Sequence, residues 1–216
     1  MTVEFYEEFE PEVIDRQYET KFVITDQDTF TAASYEESSC CLNFASHKRP
    51  GGGYRAVMGT SMPLKTQEED LFRRSNLPEI MDTEEVREYY PLKGVCGLYC
   101  VATVTKDKSL NAIEPFDTGI ITAPAVVNPT YEHQELVRRK VRLIFNIAHD
   151  KKHKNLILGA WGCGVFGNDP EVIAKLFEQY LINDFKGVFE KVIFAIPGKE
   201  STNYKVFAAI LGCKKI

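Results

Sequence analysis

Asn155–Asp184 reads NLILGAWGCGVFGNDPEVIAKLFEQYLIND, and its three parts differ in chemistry. NLILGAW is short and apolar, which reads as a strand. Four glycines then fall within the ten residues Gly159–Asn168. PEVIAKLFEQYLIND follows with Val172, Ile173, Leu176, Phe177 and Leu181 at helical spacing, and Pro170 sits in the first turn, where a helix tolerates it. A strand running through a glycine loop into a helix is the building unit of an α/β fold.

Other segments extend that pattern along the chain. KFVIT (Lys21–Thr25), CCLNFA (Cys40–Ala45), Val95–Thr105, TGIITAPAVV (Thr118–Val127) and KVIFAI (Lys191–Ile196) read as further strands. Between them, DQDTFTAASYEE has Asp28 placed to cap a helix before Phe30, Ala32 and Ala33. A helix is expected over Thr66–Ser75. LVRRKVRLIFNIAHD predicts another, with Leu136, Val137, Val141, Leu143, Ile144 and Ile147 on one stripe. The N-terminal Val3–Thr20 is expected as an acidic helical extension broken near Pro11, and the stretch from Ser75 to Tyr90 as polar and irregular. The prediction is an α/β fold of three layers, a central mixed β-sheet flanked by helices, in one domain over 1–216. Ligands of such sheets bind at the carboxyl ends of the strands.

At 216 residues the chain suffices for one well-buried domain. Apolar residues make up 44% and charged residues 26%, a globular balance. No apolar run reaches the roughly 18 residues needed to cross a bilayer, and the acidic MTVEFYEEFEPEV lacks the features of a secretory signal. Net charge is -5, which argues against an extended nucleic-acid surface. Cys40, Cys41, Cys96, Cys100, Cys163 and Cys213 form no tight cluster with histidines, so reduced thiols fit better than a zinc site. Cytoplasmic residence is expected, or nuclear if the source is eukaryotic or viral.

A second glycine-rich stretch follows CCLNFA directly. Gly51–Gly53 stands ahead of Gln67, Glu68 and Glu69, with the thirteen residues Tyr54–Thr66 between them. Two readings are open at each loop. Glycine-rich turns can simply be turns, but free N–H groups before a helix also attract phosphate oxygens. Thr66-Gln67-Glu68-Glu69 likewise fits a capping box, in which Glu69 folds back on its own helix start. Adjacent helical residues point about 100° apart, so Glu68 and Glu69 should do different work.

NFASHKRPGGG, then QEE, then GAWGCGVFGN, in this order, resembles the poly(ADP-ribose) glycohydrolases, especially the compact microbial type, whose core is a macrodomain. YYPL, ITAPA, RRKVRLIFNIA and VIFAI…NYKVFAAIL look like the same family, so the likeness runs from about Lys21 to Leu211. The spacing Tyr54–Thr66 is longer than is usual in that family; it could bulge outward and leave the acid in place, or it could reshape access to the ligand. What the resemblance implies is a macrodomain-like hydrolase cleaving ribose–ribose bonds of poly(ADP-ribose). Glu69 would be the catalytic acid/base and Glu68 would orient the distal ribose. Gln67 would support the loop. Gly51, Gly52 and Gly53 would admit ribose and pyrophosphate beside the backbone. Gly162, Cys163, Gly164 and Val165 would cradle the diphosphate, Phe166 would pack over it, and Asn43 and Ser46 would contact ribose.

Such a cleavage passes through an oxocarbenium-like state and needs a carboxylic acid to protonate the leaving oxygen. Glu69 would therefore hold its proton near neutral pH, favoured by ligand burial and Glu68 and opposed by the helix dipole. The scheme needs no metal and no cofactor. Its partners would be poly(ADP-ribose) or ADP-ribose and ADP-ribosylated proteins. A non-catalytic ADP-ribose reader, or a hydrolase of mono-ADP-ribosylated protein or DNA, is the alternative. For adenine, Phe194 and Asp26–Thr29 are candidates, set against a plain core phenylalanine and a plain helix cap.

Overall fold

The computed structural model describes residues 2–58 and 66–212. Among these residues the seven strands are β1 (Glu4–Glu7), β2 (Lys21–Thr25), β3 (Ser39–Phe44), β4 (Cys96–Lys106), β5 (Ala112–Ala123), β6 (Asn155–Leu158) and β7 (Lys191–Ala195). They form one sheet in the order β1-β4-β5-β3-β6-β7-β2. The five strands from β5 to β2 run parallel, and β4 and β1 are added antiparallel at one edge. The sheet is therefore mixed, as its strand signals predict.

Helices cover both faces. On one side lie α6 (Gln134–Asp150), α7 (Pro170–Ile182) and α8 (Thr202–Leu211), and on the other α1 (Thr29–Ala33), α2 (Tyr54–Val57), α3 (Gln67–Arg74), α4 (Leu77–Met81) and α5 (Glu84–Arg87). Each central strand feeds both cores in alternation. Cys40, Leu42, Leu156 and Leu158 pack with Phe145 and Phe177, while Cys41 and Ile157 pack with Phe30 and Phe72. Strand period two explains this division, and burial on both faces explains why the central strands are apolar throughout.

Three expectations need correction. The helical extension expected over 1–20 is a strand followed by irregular chain. Glu4–Glu7 pairs with Cys96–Tyr99 of β4, and the ring of Phe5 stacks on Tyr89 with centroids 4.7 Å apart. The acidic residues there serve α6: Glu10 pairs with Arg142 at 2.6 Å, Glu8 with Arg139, and Glu4 with Lys151 at 2.5 Å. Tertiary pairing with a basic helix overrides the local helical bias. The stretch expected as irregular from Ser75 to Tyr90 holds α4 and α5, with Thr83 capping α5 through Val86 N–H. Their single turns bury Leu77, Ile80, Met81 and Val86, too few residues for periodicity to register. Finally, TGIITAPAVV stops being strand at Ala123, because Pro124 cannot donate to a ladder.

The α8 helix carries no prediction from periodicity. It begins at Ser201, whose Oγ accepts from Tyr204 N–H (3.2 Å). No helix among the described residues is long and apolar enough to cross a membrane.

Candidate active site

β3, β5, β6 and β7 are mutually parallel, so their carboxyl ends share one edge of the sheet. Both glycine loops leave from that edge. Residues 45–53 follow β3, and 159–169 follow β6.

One helix carries both acids to the first loop. Thr66 caps α3 by accepting from Glu69 N–H (3.4 Å), which starts the helix one residue before Gln67. At the other end Arg74, almost fully buried, bonds Asp70 (2.9 Å) and Asp28 (2.6 Å) and lies over the Phe30 ring. Asp28 itself caps α1. This ion-pair knot sets the helix angle, and Gln67 locks its start. The Gln67 amide accepts from Phe44 N–H (2.9 Å) and donates to Leu42 O (2.8 Å) and Thr29 Oγ1 (3.0 Å), completing strand-like bonding where β3 ends.

Glu68 points into the turn after β3. Its carboxylate accepts from Ser46 N–H (2.8 Å), Gly51 N–H (3.1 Å) and Asn43 Nδ2 (3.4 Å). Burial pushes this carboxyl up to about 7, while the three donors and the neighbouring Glu69 act as opposing and assisting influences respectively. Glu69 is 6% exposed and rests against Gly53: a Cβ there would lie 2.6 Å from its Oε1. The two carboxyls thus use different neighbours, as the 100° rotation between them requires. Gly52 and Gly51 adopt left-handed φ values of 55° and 69°. A Cβ on Gly51 would come within 2.3 Å of Tyr54 and 2.7 Å of Phe72, so the turn is wedged onto the aromatic core beneath it.

The second loop is held at its base and open at its tip. Trp161 is fully buried and its Nε1 donates to Ala123 O (2.9 Å). Asn168 Nδ2 donates to Val126 O (2.7 Å) and Gly162 O (3.2 Å), and Gly162 takes φ 74° beside it. At the tip, Gly164 has nothing within 4 Å of a would-be Cβ, and Val165 is 76% exposed. Cys163 N–H is occupied by Ala160 O (3.1 Å). Among the described residues, the N–H groups of Gly164, Val165 and Phe166 meet no acceptor. Beside the second loop, and reaching the starts of α3 and α8, lies a cavity of about 310 Å³ lined by Phe44, Gln67, Trp161, Gly164, Phe166 and Asn203, among others.

The candidate residues divide by place. Gln67, Gly162, Gly164, Val165 and Phe166 line this cavity. Glu68, Glu69, Ser46 and Gly51–Gly53 form the adjoining acid cluster. Asn43 is fully buried and reaches Glu68 and Thr122 Oγ1 (3.2 Å), standing behind the acid. Phe194 is a core residue packed between Phe177 and Phe207, and Asp28 is a helix cap. Ser201 and Asn203 line the cavity from α8, and His47 meets Phe166 edge-on at 6.3 Å. None of these three is a site candidate from the sequence, although His47 lies within NFASHKRPGGG and Asn203 within NYKVFAAIL. The thiols of Cys40, Cys41, Cys96, Cys100 and Cys163 are free. The expected outward bulge of Tyr54–Thr66 falls mostly on 59–65, outside the described residues.

The strand order and paired strand-end loops define a macrodomain-like α/β protein. Residues 2–105 match the model of the microbial-type PARG catalytic domain. Poly(ADP-ribose) glycohydrolase from Deinococcus radiodurans, solved in complex with ADP-ribose, superposes with a TM-score of 0.79 at 30% identity, covering 90% of this chain and 85% of that one. The enzyme from Thermomonospora curvata bound to the inhibitor ADP-HPD gives 0.77 at 28%, covering 88% and 78%. Another structure of the Thermomonospora curvata enzyme gives 0.77 at 27%, covering 96% and 85%. No curated protein sequence matches. The chain belongs to the microbial-type poly(ADP-ribose) glycohydrolases.

Proposed function

We propose that this chain, acting as a single catalytic domain, hydrolyses the ribose–ribose O-glycosidic bonds of poly(ADP-ribose) and releases ADP-ribose. Family membership supports the activity, and one geometric observation supports the roles. Two acids on consecutive residues are buried against the same glycine turn, one tied down by three donors and the other resting on Gly53. Glu69 is the general acid/base in this reading. It protonates the leaving oxygen, then takes a proton from the incoming water as that water attacks the anomeric carbon. Glu68 orients the distal ribose by accepting from its hydroxyls, and Asn43 and Ser46 act through Glu68. The tip of the 159–168 loop holds the diphosphate with the free N–H groups of Gly164–Phe166. Phe166 covers it, and Gln67 fixes the helix that bears the acids.

Labelled polymer incubated with wild type and with Glu69→Gln tests this. Wild type should release ADP-ribose. The variant should release it ~10²–10⁴-fold more slowly, the usual weight of a positioned acid/base. Equal rates would remove Glu69 from the mechanism. Saturable ADP-ribose binding with no product from wild type would make the chain a reader.

A further inference from the structure

Beside the acid cluster lies a second pocket of about 490 Å³ that the proposed roles leave unused. Its walls carry Lys48, Arg49, Arg55 and Arg87 against one carboxylate, Asp82. Asp82 is nearly buried and already engaged by Arg55 (2.6 Å), Arg87 and the Tyr54 hydroxyl (2.5 Å). Lys48 is exposed and, among the described residues, its ammonium has no acceptor. Tyr90 also lines the pocket, and among the described residues its buried hydroxyl has no hydrogen-bond partner. An excess of three positive charges in a chain of net charge -5 is a local device for an anion.

The pocket's position says which anion. It touches Gly52 and Gly53, the glycines on which Glu68 and Glu69 rest. In poly(ADP-ribose) every repeat carries a diphosphate, so the bond being cut has one on each side. The 159–168 loop serves the released unit. We infer that the Lys48/Arg49/Arg55/Arg87 pocket binds the diphosphate of the neighbouring unit, on the leaving-group side of the bond. This rests on the glycohydrolase reading for where the scissile bond lies. Arg49 is the least free of the four, since its Nε donates to Gly52 O (2.9 Å), and its role is to tie the pocket wall to the glycine turn.

Binding separates the subsite from catalysis. In a Glu69→Gln background, a two-unit fragment of the polymer should bind about tenfold more tightly than ADP-ribose, with a gain that shrinks as salt rises. Adding Lys48→Glu and Arg55→Glu should abolish the gain and leave ADP-ribose affinity within about twofold. A gain that survives both reversals, or no gain in the parent, overturns the assignment. If the double reversal also weakens ADP-ribose binding through Asp82, Lys48→Glu alone decides in the same way, because that side chain supports nothing else. A wild-type chain that prefers two units yet releases no ADP-ribose would leave the pocket standing and remove the catalytic reading.

Discussion

The two glycine loops leave the same sheet edge and have similar composition, yet glycine does opposite work in them. In Gly51–Gly53 the space is filled. Imagined Cβ atoms strike Tyr54, Phe72 and Glu69 at under 3 Å. In 159–168 the base is crowded, but Gly164 faces open space and, among the described residues, the N–H groups of Gly164, Val165 and Phe166 meet no acceptor. The first loop is glycine-rich so that carboxyls can come close to backbone. In the proposed function the second is glycine-rich so that a ligand can. On that reading a shared composition hides a division between placing an acid and gripping an anion.

Substitutions can break that contrast. Glu69→Gln comes first, at ~10²–10⁴-fold in polymer turnover. Next is Gly53→Ala. Its methyl would displace the Glu69 carboxyl, the end of a flexible side chain, so turnover should fall about 10²-fold while the melting temperature barely moves. Unchanged turnover would mean that Glu69 does not work from this position. Gly51→Ala should do the reverse, because a left-handed φ and contact with two core rings leave no room to adjust. We expect a stability loss of about 2–4 kcal/mol by denaturant unfolding. Gly164→Ala should leave stability alone and weaken ADP-ribose binding a few-fold by calorimetry, by stiffening and crowding the tip. A large unfolding penalty there would show that the tip is structural after all.

Legibility in the sequence followed the reach of the interactions. The strand–loop–helix unit at Asn155–Asp184 and the central strands were readable because burial on both faces makes them apolar from end to end. Thr66 as the α3 cap was readable for a different reason, since capping is local. Glu4–Glu7 was not, because its partners, β4 and the arginines of α6, lie far along the chain. Within the site, Glu68 and Glu69 emerged only through family resemblance; the residues alone fit a capping box as well. That pattern is half visible in the fold, where Thr66 Oγ1 does accept from Glu69 N–H. Asn43 shows the remaining limit. The resemblance implies a ribose contact for Asn43, but full burial and the bond to Glu68 place it one step behind. Ser201 and Asn203 reach the site from the start of α8 and His47 from the turn after β3, so nothing in local spacing could gather them with the acids.

The smallest expected effect concerns pH and separates Glu68 from its neighbour. Burial raises the folded-state Glu68 carboxyl from an ordinary 4.5 to about 7. Below the lower value it is protonated in both folded and unfolded chains, and it imposes no pH dependence. As pH rises toward 7, the unfolded chain releases this proton and the folded chain retains it, so folding loses stability across that window and the loss levels off above it. Glu68→Gln removes the titration. Its melting temperature should therefore gain on that of wild type by a few degrees between pH 4.5 and 7, with parallel curves outside that range. Ribose hydroxyls that donate to Glu68 favour the ionised carboxylate, so ADP-ribose should raise the wild-type melting temperature more at pH 8 than at pH 6. Parallel curves throughout would mean that the donors from Ser46, Gly51 and Asn43 outweigh burial, and that Glu68 is already ionised before the ligand arrives.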